Sequence, residues 1–187
     1  MALESVDWSK LPKPEDDGGA DHLTGARLPA APLDATDGAR VNLAALPGLT
    51  VIYAYPMTGR PDVALPENWD MIPGARGCTP QSCAFRDHFE DLTKLGVDHV
   101  FGLSTQSTAY KTEAVERLHL PFPLLSDSDH RFSDALRLPT MTVEGNRLTK
   151  RLTMIARDGA ILAVNYPVFP PDRDARTVIA WLKARAL

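Results

Sequence analysis

Leu49-Thr50-Val51-Ile52-Tyr53-Ala54-Tyr55 is a largely apolar, β-prone run that stops at Pro56. A continuous run of this kind marks a strand buried on both faces of a sheet. Residues 57–77 follow, with Gly, Pro and Arg but no period. They read as a long loop, and long loops inside compact domains tend to be functional or disordered. Over residues 80–95, Phe85, Phe89 and Leu92 fall at i, i+4 and i+7, the spacing of an amphipathic helix. Lys94 sits in its last turn and Gly96 just beyond, as at a helix C-terminus. Residues 97–103 form another strand. Strand, helix and strand in this order imply parallel neighbours joined by a right-handed crossover.

Working outward, residues 33–43 read as two short strands around the Asp37-Gly38 turn. Ser107 can cap a helix to about residue 118, with Tyr110, Ala114 and Leu118 on one face. Residues 121–125 lead to Ser126 and Asp127, which cap a short helix ending near residue 136. Residues 152–156 and 160–164 flank Arg157-Asp158-Gly159, a hairpin signal. After a proline-rich stretch over 166–171, a helix capped by Asp172 runs to the C-terminus, with Val178, Trp181 and Leu182 on its apolar face. The expected fold class is α/β: a thioredoxin-like fold, a central mixed β-sheet flanked by helices, with an N-terminal β-hairpin. One domain is expected over 28–187. Residues 1–27, polar and carrying Pro12, Pro14 and Asp16-Asp17-Gly18-Gly19, read as a weakly ordered arm.

The chain has 187 residues, enough for one full core. Its 20 basic and 24 acidic residues give a net charge of −4, with no electrostatic footprint for nucleic acid or an anionic membrane. Neither is expected as a partner. No apolar run approaches the roughly 18 residues of a membrane helix. The first residues have no basic and then apolar stretch of a secretory signal, so a cytoplasmic protein is expected.

The two cysteines, Cys78 and Cys83, are the only ones and lie close together. In a reducing compartment such a pair reads as redox-active or metal-binding rather than structural. In Gly77-Cys78-Thr79-Pro80-Gln81-Ser82-Cys83, Cys78 sits where the helix begins, and Pro80 fits a helix's first turn. A sulfur there faces unpaired backbone N–H groups and the positive end of the helix dipole, which favour the nucleophilic thiolate. Peroxide converts a thiolate to a sulfenic acid, with which a second thiol can condense. Cys83 is that thiol by spacing. Five residues of α-helix rise about 7.5 Å, whereas a disulfide needs Cα atoms within about 7 Å. The bridge therefore requires the helix's first turns to unwind. Two other readings stand beside this one: inert buried cysteines, and a zinc site with His88 and His99, which lacks the second close-spaced pair of structural zinc sites.

From about residue 28 onward the sequence resembles the peroxiredoxins, in particular the peroxiredoxin Q, or bacterioferritin comigratory protein-like, branch. Leu28-Pro29, Asp37-Gly38, Val51-Ile52-Tyr53-Ala54-Tyr55-Pro56, Gly77-Cys78-Thr79 with Cys83, Phe85-Arg86-Asp87 and Phe122-Pro123-Leu124-Leu125-Ser126-Asp127 carry the likeness. The resemblance implies that Cys78 is the peroxidatic and Cys83 the resolving cysteine. It implies a peroxide substrate, thioredoxin or a similar dithiol reductant, no metal, flavin or nucleotide cofactor, and a monomer, with a dimer as the alternative.

One departure stands out. The family motif Pro-x-x-x-Thr-x-x-Cys has six residues between its proline and cysteine, whereas 21 lie between Pro56 and Cys78, an insertion of 21 − 6 = 15. Ala75 occupies the threonine's place, and Thr58 supplies the hydroxyl if the insertion loops out after it. The loop over 57–77, with Pro61, Pro66, Trp69 and Pro73, reads as a lid, a partner contact or a plain surface loop. The family also uses an arginine from a later strand. Aligning residues 154–156 places Arg151 there, with Lys150, Arg157 and Arg76 as competitors. A guanidinium beside the sulfur favours thiolate and can hydrogen-bond a peroxide oxygen. Competing functions are thiol–disulfide exchange or redox sensing without peroxide turnover, and a copper-chaperone-like role, for which the cysteine spacing is one residue too long.

Overall fold

A computed structural model describes residues 6–185. The first strands are β1 (Leu33–Ala35), β2 (Arg40–Val41), β3 (Leu49–Ala54), β4 (Val97–Ser104) and β5 (Leu124–Ser126). They are followed by β6 (Thr140–Val143), β7 (Asn146–Thr149), β8 (Leu152–Arg157) and β9 (Ala160–Asn165). The helices are α1 (Cys78–Asp87), α2 (Phe89–Lys94), α3 (Thr108–Leu118), α4 (Arg131–Leu136) and α5 (Asp174–Arg185). The main sheet runs β2-β1-β5-β4-β3-β8-β9. The β3–β4 and β4–β5 pairs are parallel, and β3–β8 and β8–β9 antiparallel. This is the mixed, helix-flanked sheet the sequence implies, with β1 and β2 forming the hairpin around Asp37-Gly38.

β3 reads as unbroken apolar sequence because both its faces are covered. Successive side chains alternate across a strand. Val51, Tyr53 and Tyr55 enter one core with Phe85, Leu92 and Val178, while Ile52 and Ala54 enter the other with Phe101, Phe132 and Met154. Tyr53 stacks on Phe85 at 4.4 Å between ring centroids, tying β3 to α1.

Several local readings change. The helix expected over 80–95 starts at Cys78 and breaks at His88, whose backbone (φ −106°, ψ 11°) separates α1 from α2. The inward face of α3 carries Lys111 with Ala114 and Leu118, while Tyr110 is only partly buried. Asp172 does not cap the last helix; it lies in a 3-10 turn over Pro171–Arg173, and its carboxylate accepts from the Trp8 indole at 2.9 Å. The β6–β7 hairpin is additional, turning through Glu144 and Gly145, both at positive φ. Asp127 does cap α4, accepting from the backbone N–H groups of Phe132 and Ser133 at 3.0 and 2.9 Å.

The arm differs most. Residues 1–5 lie outside the described residues. Residues 6–27, expected to be weakly ordered, pack on the body. Leu23 is fully buried, Arg27 bridges to Ala160 on the edge strand β9, and Gly25 N donates to Ile161 O at 2.8 Å. Asp17 takes Lys150 Nζ at 2.6 Å and the Tyr166 hydroxyl at 2.7 Å. The insertion is also built in. Trp69, in a 3-10 turn over Trp69–Met71, buries its ring with Val143 and Leu148 of the β6–β7 hairpin in a small third core. No described helix is long and apolar enough to cross a membrane.

Candidate active site

The site lies at the C-terminal end of β3, where chain segments from both halves of the sheet converge. β3 runs into buried Tyr55 and Pro56, and Tyr55 N donates to Leu103 O at 3.0 Å, which holds this end against β4. The insertion returns through Gly74, Ala75 and Arg76 to Gly77, which starts α1 at φ 113°. That backbone favours glycine. A side chain there would also meet Pro171 and Trp8, its Cβ 2.5 and 2.9 Å from their nearest atoms. Cys78 is therefore the first residue of α1, its sulfur buried beside the helix's free N–H end.

β8 runs antiparallel to β3 with Leu152 opposite Ala54, so the residue before it, Arg151, arrives at the same end. Arg151 is buried, and its Nη2 donates to Cys78 Sγ at 3.2 Å. The same nitrogen donates to the carbonyls of Gly74, Ala75 and Arg76 at 3.2, 3.0 and 3.3 Å. The end of the insertion thus cradles the guanidinium. Nη1 donates to Gln81 Oε1, one helical turn after Cys78. Gln81 Nε2 in turn donates to Asp174 Oδ2 at 2.7 Å, and Asp174 also accepts from Thr153 Oγ1 at 2.6 Å and Asn165 Nδ2 at 2.9 Å. Burial pushes the Asp174 carboxyl up, opposed by these three donors.

The other cations are placed elsewhere. Lys150 pairs with Asp17, Arg76 with Asp70, and Arg157 sits at the opposite end of β8, across from Leu49.

Thr58 is buried, and the Gln106 side chain clamps its backbone from both sides: Thr58 N donates to Oε1 at 2.8 Å, and Nε2 donates to Thr58 O at 3.1 Å. The Thr58 hydroxyl makes no hydrogen bond to the Cys78 sulfur. Neither it nor the Tyr55 hydroxyl makes a well-formed hydrogen bond among the described residues, but the two lie close enough that Thr58 and Ser104 oppose the burial that pushes the Tyr55 phenol up.

Cys83 is buried on α1, which stays helical between the two thiols; both cysteines are free. Burial pushes the Cys83 thiol up. Over Cys78 opens a cleft of about 310 Å³, with Met57, Leu65, Trp69, Arg76 and Pro80 in its walls. Among the described residues no three His, Cys, Asp or Glu side chains gather where they could hold a metal ion.

The sequence placed Cys78, Cys83, Arg151, Thr58 and Pro56 as candidates, and the fold brings Arg151 to Cys78. It missed Gln81, Gln106 and Asp174. Gln81 could have been found from its i+3 spacing to Cys78, but Asp174, 93 residues further on, has no local signal.

This geometry, a sulfur at a helix start beside a buried guanidinium on a thioredoxin-like sheet, is that of a redoxin. The redoxin family's sequence profile matches residues 23–179, and the chain belongs to that family. Within it the chain is a peroxiredoxin. It is 31% identical over 155 residues to peroxiredoxin Bcp of Escherichia coli K12, covering 80% of this chain and 88% of the relative. It is 27% identical over 161 residues to chloroplastic peroxiredoxin Q of Suaeda salsa, covering 86% and 67%. Its fold matches the crystal structure of peroxidoxin BcpB from Mycobacterium tuberculosis with a TM-score of 0.70 at 23% identity, covering 87% and 97% of the two chains. It matches Xanthomonas campestris peroxiredoxin Q with a TM-score of 0.66 at 23% identity, covering 95% and 99%.

Proposed function

We propose that this peroxiredoxin reduces hydrogen peroxide and organic hydroperoxides with Cys78 as the attacking sulfur, Cys83 as the resolving one and an external dithiol as electron donor. The observation that carries the reading is the 3.2 Å contact from Arg151 Nη2 to a sulfur at the start of α1. The guanidinium and the helix's free N–H end both face the sulfur that must carry negative charge to attack. The thiolate attacks the peroxide's terminal oxygen. The S–O bond forms as the O–O bond breaks, and the leaving alkoxide or hydroxide takes up a proton. The guanidinium stabilises charge developing on the oxygens. The Thr58 hydroxyl, without a well-formed hydrogen bond among the described residues and on a segment held by Gln106, is the group we assign to the bound peroxide.

Cys83 then attacks the sulfenic sulfur. The S–S bond forms and hydroxide leaves, to be protonated to water. With about 7.5 Å of helix rise between the two residues, α1 must open first. A thioredoxin-like dithiol reduces the bridge. Because the resolving thiol is on the same chain, the cycle needs no second subunit, which supports a monomer. A cycle that ends in an exchangeable dithiol fits a reducing compartment such as the cytoplasm.

Peroxide consumption driven by a thioredoxin system tests the reading. Cys78→Ser abolishes it. Cys83→Ser leaves one fast turnover to the sulfenic acid and blocks recycling. Peroxide turnover that survives Cys78→Ser overturns the assignment, and thiol–disulfide exchange without peroxide loss in the unaltered protein replaces it with the exchange reading.

A further inference from the structure

We infer that Asp174 is a positioning residue for Arg151, acting through the Gln81 amide and so setting the reactivity of the Cys78 sulfur. The inference takes from the proposed function only that Cys78 is the reactive thiol.

Asp174 is a fully buried carboxylate at the start of α5 that makes no ion pair among the described residues, although Arg151 lies within electrostatic reach. What it holds instead is three neutral donors from three elements: Gln81 on α1, Thr153 on β8 and Asn165 on β9. Gln81 Nε2 meets Oδ2 and Asn165 Nδ2 meets Oδ1, so each carboxylate oxygen faces an obligatory donor. An ionised carboxylate only accepts. It therefore dictates which way round the Gln81 amide sits: NH2 toward Asp174 and carbonyl oxygen toward Arg151 Nη1.

The guanidinium needs that oxygen. Arg151 Nε is buried without a partner among the described residues. Nη2 spreads over Cys78 and three loop carbonyls. Gln81 Oε1 is thus the acceptor that fixes the other arm of the fork. Were the Gln81 amide turned over, its NH2 would face a guanidinium N–H, two donors set against each other between buried side chains. The guanidinium would swing, and Nη2 would leave the sulfur. Asp174 excludes the turned state, and a neutral amide at 174 would allow it.

Alkylation of the reduced protein by iodoacetamide, with Cys78 and Cys83 quantified separately by mass spectrometry, tests this without peroxide or reductant. Asp174→Asn is expected to slow Cys78 by about three- to tenfold, the weight of one buried hydrogen bond, while Cys83 stays within about twofold. General loosening of the fold would speed both thiols. Gln81→Glu alone sets two buried carboxylates together and slows Cys78 as well. Gln81→Glu/Asp174→Asn restores complementarity, because the carboxylate at 81 accepts from both Arg151 and the new amide. It is expected to lift Cys78 above the slower single variant, short of the parent rate because the carboxylate now sits directly against Arg151. An unchanged Cys78 rate in Asp174→Asn overturns the inference, as does a folded double variant no faster than the slower single one. If Asp174→Asn does not fold, the double variant alone carries the test by the same criterion.

Discussion

Replacing Arg151 with lysine separates charge from geometry at the sulfur. Both side chains are cations, but guanidinium is a planar fork with five donors and ammonium is a compact point charge on a flexible stem. Both arms of the fork are used here. One arm reaches Gln81, and the other reaches Cys78 at 3.2 Å together with the carbonyls of Gly74, Ala75 and Arg76. An ammonium held by those carbonyls keeps the positive field in the pocket yet cannot span from Gln81 to the sulfur. The loss is then one charge-assisted hydrogen bond to the reacting atom, about 1.5–3 kcal/mol, or roughly 10- to 150-fold in the rate of peroxide attack. Stopped-flow mixing of the reduced protein with excess hydrogen peroxide measures it. Trp8 supplies the signal, since its ring lies against Gly77, next to the reacting cysteine. Arg151→Lys that folds, shown by a cooperative melt, and reacts within about threefold of the parent rate would refute the reasoning. Charge alone would then suffice, and the fork geometry would be incidental.

Thr58→Val removes a buried hydroxyl that makes no well-formed hydrogen bond among the described residues, so it should change stability by less than about 1 kcal/mol while slowing peroxide attack by about tenfold; an unchanged rate removes Thr58 from the site. Trp69→Ala empties the small core between the insertion and the β6–β7 hairpin, at a cost of about 3–5 kcal/mol. Limited proteolysis should then cut within residues 57–77 before any other internal site, and cleavage beginning elsewhere counts against this anchoring. Asp17→Asn loosens the arm. Lys150 first, then Tyr166 and the Gly19 N–H, hold the Asp17 carboxyl well below its ordinary value. Its folded value is below its unfolded one, so its contribution is complete above about pH 4 and fades as pH falls from there toward the folded value. Asp17 is nearly half-exposed, which keeps the contribution to about 0.2–1 kcal/mol. The gap between the melts of parent and variant should be full at about pH 7 and narrow as pH falls below about 4, and a gap that widens in acid contradicts the pairing.

The parts of the fold that could be read from sequence are those whose cause is local. β3 announces itself because burial on both faces demands apolar residues at every position. Cys78 announces itself because Pro80 and the downstream period of Phe85, Phe89 and Leu92 locate a helix start. That same period hid the break at His88, since the three apolar side chains keep one face across both helices. The β6–β7 hairpin was hidden because Glu144-Gly145 lacks the Asn or Asp that usually opens such a turn. The arm was misread from its polar composition. Leu23 anchors it, and Asp17 finds Lys150 at a separation of 133 residues. Lys111, a lysine on a helix, reads as solvent-facing. It is wholly buried instead, donating to Ser104 O at 2.8 Å and to Leu125 O, so that it ties the ends of two parallel strands. Arg151 could be placed only through the resemblance to a family, because nothing around residue 151 shows that β8 will lie antiparallel beside β3.

The reduced geometry and the proposed cycle pull against each other in one helix. Everything that makes Cys78 reactive depends on the first turns of α1 being formed: the free N–H end, the contact with Arg151, and Gln81 standing between Arg151 and Asp174. Ser82, in the same turns, accepts the Tyr53 hydroxyl at 3.1 Å and anchors α1 to β3. The bridge to Cys83 can close only when those turns unwind. In unwinding, the sulfur leaves its cation and Gln81 leaves both of its partners. The proposed chemistry would therefore dismantle the apparatus that performs it, and a dithiol that reduces the bridge would let the helix, and with it the reactive sulfur, form again. Several hydrogen bonds of about 1 kcal/mol each stand between the two arrangements, enough to favour the helix in the reduced protein yet small enough for a covalent bridge to overcome. The buried network around Gln81 thus has two tasks: to aim Arg151 at the sulfur, and to set how readily that sulfur is released to Cys83.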